Sequence, residues 1–252
     1  MVPEKFKKRN DLPVVSVSTA KNVKSSSGVP LRRCLGVFSQ KQRWGLSRRG
    51  WLVAVLFSIL SAGFVILTIQ PFLAVTQRVD SKVLVVEGWV HEYAILASVK
   101  EFKAGHYSCV YATGGPVTGS GGYTTDYDTS AHVCESQLKM AGIDDKAVQM
   151  VPSHLMGRDR TYNSAVALRD WFRQRKMYVG SLNVVTENTH ARRTHLLFQE
   201  AFGNGVKVGI IAVPNPDYDA RHWWRYSEGV RDVLDEAIAY VYARLLFHPS
   251  SQ

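Results

Sequence analysis

From Trp51 to Ile69 the chain carries no charge, and Ser58, Ser61 and Thr68 are the only polar side chains in the run. Nineteen residues at about 1.5 Å each make roughly 28 Å of helix, close to the thickness of a bilayer's hydrocarbon core. A soluble core helix of that length would show a polar stripe, and this run has none. The sequence therefore predicts one transmembrane helix near residues 51–70, closed by Gln70-Pro71. The chain divides into a tail (1–47), an anchor (48–76) and a domain (77–252).

The charge distribution orients this arrangement. Residues 1–50 hold twelve Lys or Arg against Glu4 and Asp11 and so account for the whole formal net charge of +10; the other 19 basic residues meet 19 acidic ones. A neutral domain behind a basic tail is not the footprint of a nucleic-acid binder. Basic residues before the span and few after it predict a cytoplasmic N-terminus and an extracytoplasmic domain. The expected setting is a bacterial inner membrane, crossed once, with the bilayer as the tail's partner. The tail is rich in Lys, Ser, Val and Pro without a helical or strand period, and reads as disordered. Ser47-Arg48-Arg49-Gly50-Trp51-Leu52 resembles a twin-arginine export signal. The long apolar run and the lack of a small-x-small site after it argue for an uncleaved anchor.

Beyond residue 82 short apolar runs alternate with helical patterns. The predicted strands are Val83–Val86, Val110–Thr113, Val148–Val151, Leu182–Val185 and Val208–Val213. The predicted helices are Glu92–Phe102, Ser130–Met140, Asn163–Arg175, His190–Phe202 and Gly229–Leu246. Continuous apolar strands between helices mark a parallel sheet covered on both faces. The predicted fold is α/β, a Rossmann-like doubly wound parallel sheet of about five strands in the order 3-2-1-4-5, preceded by the transmembrane helix. Three cysteines set no disulfide framework. Cys109 and Cys134 read as buried thiols, with a bridge between them as the alternative.

In such a sheet the ligand binds beyond the carboxyl ends of the strands. Those positions hold Glu87-Gly88-Trp89, Thr113-Gly114-Gly115, the loop with Arg158, Asp159, Arg160 and Thr161, and Thr186-Glu187-Asn188-Thr189-His190 followed by Arg192-Arg193. After the fifth strand come Asn215, Asp217 and Trp223-Trp224. Each residue also has a plain structural reading. Gly114-Gly115 makes either a tight turn or a backbone approach to an anion. Thr161 and Thr189 suit helix N-caps. Arg192 and Arg193 open a helix, where cations are mildly unfavourable, so they are either solvated or aimed at something. Glu87, directly after an apolar strand, is either paired with an arginine or active in acid/base chemistry. Asp126 and Asp128 suit a loop better than a metal. No Walker loop, G-x-G-x-x-G, G-x-S-x-G or His/Cys ligand spacing occurs. The sequence names neither a metal nor a cofactor.

The stretch from Ser81 to Leu246 resembles the domain-of-unknown-function 218 family, the SanA-, ElyC- and YdcF-like envelope proteins. The matching pieces are Val85-Val86-Glu87-Gly88, Thr113-Gly114-Gly115, Arg160-Thr161-Tyr162-Asn163-Ser164-Ala165, Val185 through Arg193, and Glu236. The Val-Thr-x-x-x-His-x-x-Arg piece is the most specific. Asn163-Ser164 and Trp89 depart from the family pattern. The resemblance implies a Rossmann-like fold and a role in envelope integrity and surface-polysaccharide or lipid-carrier metabolism.

These readings together predict one cleft with His190 and Glu87 as catalytic groups. Gly88, Trp89, Thr113, Gly114, Gly115, Arg158, Arg160, Thr161, Thr186, Asn188 and Arg193 would bind a phosphate-bearing, anionic or lipid-linked sugar ligand. Three positive or potentially positive groups are expected around one carboxylate, leaving charge over for that ligand, and Arg193→Ala is expected to abolish function with little loss of stability. The rival readings are a non-catalytic assembly factor for polysaccharide biogenesis and, on fold analogy alone, a nucleotide or methyl-donor binder.

Overall fold

The structure, a computed structural model, describes residues 38–40, 44–117, 128–154 and 159–249. The chain divides into two units, Met1–Leu56 and Phe57–Gln252. In the first, β1 (Phe38–Gln40) and β2 (Trp44–Leu46) pair antiparallel with Phe38 opposite Leu46. This hairpin lies inside the stretch predicted to have no regular structure. The rest of the predicted tail, 1–37 and 41–43, lies outside the described residues.

Helix α1 runs over Arg48–Leu73. It is long and apolar enough to cross a membrane, and none of its most apolar stretch is buried. It passes through Pro71 instead of stopping there as the sequence suggested. Pro71 has no N–H for the Leu67 carbonyl, but the turn continues past it, and the Ala74 N–H reaches the Gln70 carbonyl at 2.9 Å. Tertiary contact also holds the last turn: Leu73 is buried with Tyr218, Trp223 and Val233. Burying one such leucine contributes roughly 1.5–3 kcal/mol.

The sheet of the second unit holds β3 (Val83–Glu87), β4 (Cys109–Gly114), β5 (Val148–Pro152), β6 (Ser181–Glu187) and β7 (Lys207–Val213). All are parallel, in the order β5-β4-β3-β6-β7, which is the predicted 3-2-1-4-5. Alternate residues of β3 feed opposite cores. Leu84 and Val86 pack under α2 (Glu92–Ala104) and α3 (Ser130–Met140), with Ile95, Val99, Cys134 and Leu138. Val85 packs under α4 (Arg160–Gln174) and α5 (Ala191–Phe202), with Leu168, Phe172 and Phe198. Cys109 and Cys134 belong to these opposite cores, and both are free thiols. Helix α6 (Ser227–Leu245) closes the domain beside the end of α1.

A strap connects α1 to β3 and fixes where α1 ends. Gln77 bonds in both directions with Ile210 on β7, and Thr76 Oγ1 accepts from the Ala212 N–H. Val79 is held through its N–H and carbonyl by the Asn183 side chain, and Ser81 reaches Ser181. The strap therefore descends antiparallel to β7, from the carboxyl edge of the sheet to its amino edge. It needs Gly209, where a Cβ would lie 1.9 Å from Asn183 Oδ1 and 2.9 Å from the Gln77 carbonyl. Consequently α1 ends at the carboxyl edge, and Gln70 Nε2 donates there to Asn188 Oδ1 at 3.1 Å.

Candidate functional site

A cavity of about 350 Å³ opens at the carboxyl edge between β3, β4 and the start of α4. Its lining brings together nine of the predicted residues: Glu87, Trp89, Thr113, Gly114, Gly115, Arg160, Thr161, His190 and Arg193. Three predicted residues stand apart. Gly88 is buried, and its N–H is already bonded to the Thr113 carbonyl at 2.6 Å. A Cβ on it would meet the Ser130 and Thr113 carbonyls at 2.5 and 2.6 Å, so glycine is there for close packing of the α3 start. Thr186 is fully buried in β6. Asn188 is tied to Gln70 and to the Tyr218 hydroxyl and supports α1. Arg158 and Asp126 lie outside the described residues.

His190 organises the cleft. Its ring ends a short turn between β6 and α5, and Nδ1 lies 2.7 Å from Glu236 Oε1 on α6. Arg193 Nη2 lies 2.9 Å from the same Nδ1 and 2.9 Å from Glu236 Oε1, while its Nε donates to Oε2 at 2.9 Å. A carboxylate oxygen only accepts, so Nδ1 carries the proton and donates to Glu236, and the Arg193 donors are directed at the carboxylate as well. Nε2 then faces the cleft, 3.5 Å from Thr161 Oγ1 and 3.8 Å from Glu87 Oε2. Trp89 packs edge-on against the ring, with centroids 4.5 Å apart. Burial alone would push the Glu236 carboxyl up. The hydrogen bonds from His190 and Arg193 outweigh it and hold the group down at about 2. Glu236 is therefore an ionised anchor that fixes the imidazole's tautomer and orientation.

Glu87 is 2% exposed and accepts from Thr194 Oγ1 at 2.9 Å. Among the described residues its close partners are thus a hydroxyl and His190, and it makes no ion pair with an arginine, which was one of the two readings of the sequence. Arg192 and Arg193 are both engaged: Arg192 donates to the Phe72 carbonyl and lies 4.0 Å over the Phe72 ring, and Arg193 holds Glu236. Thr189 donates to the Asp232 carbonyl instead of capping a helix. Arg160 is exposed at the mouth and has no ion-pair or hydrogen-bond partner among the described residues. It opens α4, whose N-cap residue Asp159 is left-handed (φ 59°) and makes no side-chain capping bond to the first N–H groups of that helix.

The charge balance differs from expectation. Asp159 and Glu236 join Glu87 in the lining, so three carboxylates face Arg160, Arg193 and His190. Glu236 lies 46 residues beyond His190, and periodicity alone did not assign it to the cleft. Its signal is a carboxylate on the packed side of α6, one residue before half-buried Ala237 and three after buried Val233. Gly114, like Gly88, is set by close packing: a Cβ would fall 2.2 Å from Ser130 Oγ and 2.9 Å from the Ala131 nitrogen. Among the described residues no group of three His, Cys, Asp or Glu is placed to hold a metal ion.

The fold and cleft define an α/β protein with a carboxylate-oriented histidine at the carboxyl edge of a parallel sheet, attached to a helix of membrane-spanning length. No family model, curated protein or solved structure matches the chain.

Proposed function

We propose that this chain is a single-pass membrane protein with a Rossmann-like extracytoplasmic domain. In this reading its cleft binds a phosphate-bearing ligand and transfers or hydrolyses a group on it, in envelope or surface-polysaccharide lipid-carrier metabolism. One observation carries the reading: Glu236 clamps His190 through Nδ1 and aims Nε2 into a cavity that also holds Arg160, unpaired among the described residues, and a helix start that the Asp159 side chain does not cap. Oriented this way, Nε2 takes a proton from an attacking hydroxyl or water or, once protonated, gives one to a leaving oxygen. Arg160 and the first N–H groups of α4 then face a phosphoryl oxygen. Trp89, 42% exposed at the mouth, offers an apolar wall to the non-phosphate part of the ligand.

The test is capture from a total membrane-lipid extract by the full chain in nanodiscs, read by mass spectrometry, with Arg160→Ala and His190→Ala beside the wild type. A phosphate-bearing species retained by the wild type, lost with Arg160→Ala and left unconverted by His190→Ala supports the reading. Capture that ignores both substitutions refutes it and leaves the assembly-factor reading in its place.

A further inference from the structure

The outer surface of α6 carries a row of apolar side chains that no described residue covers. Leu234, Ile238, Val241 and Leu245 are 49, 70, 52 and 68% exposed. Their spacing of four, three and four residues puts them on one line of the helix. A parallel row of α6, Val230, Val233, Ala237 and Tyr240, packs against Ile69 and Leu73 at the end of α1. Each residue turns the helix by about 100°, so the exposed row lies about a quarter-turn from the row that holds α1. It continues that interface without an intervening polar stripe; Arg231 and Asp235 lie on its far side.

Two contacts and one pair of exposed rings set the level of this surface along α1. The Trp223 indole N–H donates to the Ile66 carbonyl at 3.0 Å. The Phe72 and Tyr240 rings meet edge-on at 5.5 Å. Trp224 and Tyr226, just before α6, are 36 and 42% exposed. Ile66 belongs to the uncharged run that would occupy the hydrocarbon. With α1 read as a span, the segment that bonds it lies at the membrane, and its tryptophan and tyrosine rings suit the headgroup layer.

We infer that α6 is a second membrane contact: its row Leu234, Ile238, Val241 and Leu245 rests on the bilayer surface. This rests on the reading of α1 as a membrane span. The consequence concerns access to the cleft. Glu236, on the opposite flank of α6, reaches His190, and α1 ends at the same carboxyl edge of the sheet where the cavity opens. A domain seated on α6 and the end of α1 holds the cavity mouth against the headgroup layer. A ligand with a lipid tail then reaches His190 while its tail stays in the membrane.

The experiment is photo-crosslinking of the full chain in lipid nanodiscs, with benzoylphenylalanine replacing one exposed residue at a time. Phe57 in α1 reports the span. Tyr178, 95% exposed before β6, reports the opposite edge of the sheet. Ile238 and, independently, Leu245 report the proposed contact. Expected are lipid adducts at 57, 238 and 245 and none at 178. Adducts at 57 without adducts at 238 and 245 overturn the inference while the span stands. No adduct at 57 removes the span and the inference together. A chain-to-chain product at 238 in place of lipid assigns the row to a second copy and equally overturns the inference.

Discussion

Replacing Arg193 by alanine separates a binding arginine from a structural one. Sequence reasoning expected loss of function with little loss of stability, because a cleft arginine serves a ligand. The structure reverses the second half of that expectation. Arg193 gives Glu236 two hydrogen bonds of 2.9 Å, and both side chains are largely buried, at 21 and 17% exposure. Removing the guanidinium leaves the Glu236 carboxylate with His190 alone. Breaking a fully buried pair costs about 3–5 kcal/mol. Holding Glu236 at about 2 instead of 4.5 corresponds to about 3 kcal/mol shared between His190 and Arg193. Loss of Arg193, which donates two of the three bonds, is expected to cost on the order of 2 kcal/mol. That lowers Tm by roughly 4–8 °C in a domain of this size.

The pH dependence follows from the direction of the shift. A carboxyl held below its usual value contributes its stability fully above about pH 4.5 and loses it as the pH falls toward about 2. The cost of Arg193→Ala is therefore largest near neutrality and shrinks by pH 3, where the freed Glu236 of the variant takes up a proton. Thermal unfolding of the full chain in detergent micelles at pH 7 and pH 3 measures both values. The double variant with Glu236→Gln should lose less than the sum of the single changes, since it leaves no unpaired charge. Melting of Arg193→Ala at the wild-type temperature at pH 7, or strict additivity with Glu236→Gln, would refute the argument.

Other expectations follow from single contacts. Gly209→Ala drives a methyl into Asn183 and the strap backbone and should cost about 3 kcal/mol, read as loss of folded protein or a lowered Tm. His190→Gln keeps a polar side chain of similar reach and should melt near the wild type while turnover of a captured ligand falls by about 10²-fold or more; unchanged turnover removes His190 from the chemistry. Cys109 and Cys134 lie in opposite cores, so both should alkylate in denaturant without reductant, and a linked Cys109–Cys134 peptide would contradict the sheet. Reporter fusions at residue 40 and at the C-terminus should place the two on opposite sides of the membrane; reporters on the same side dismiss the single span.

The sheet was legible because its strands are short apolar runs at regular spacing, and the right-handed crossover rule leaves few ways to order them. The carboxyl-edge rule was enough to bring Glu87, Gly114, His190 and Arg193 together from the ends of three separate strands. What escaped depends on side-chain packing over long separations. Gly88 reads as a ligand glycine until the Ser130 carbonyl is placed against it. Asn188 reads as a site residue until Gln70, 118 residues earlier, takes its side chain. Pro71 reads as a helix stop until Leu73 is found in the core. In each case the local residue is chemically right for the predicted role, and a distant neighbour assigns it another.

Glu236 changes more than the count of cleft residues. With the predicted cluster of three cations around Glu87, an anionic ligand would be drawn by surplus charge. With Asp159, Glu87 and Glu236 opposite Arg160, Arg193 and His190, the described lining holds as many acidic as basic side chains and so shows no surplus of cations. Long-range attraction is therefore weak. A phosphate is favoured only where it meets Arg160 and the N–H groups of α4 directly, together with a proton on His190. Recognition and proton transfer then depend on the same atom, Nε2, because the other nitrogen is committed to Glu236. A cleft of this kind selects by local geometry instead of by field.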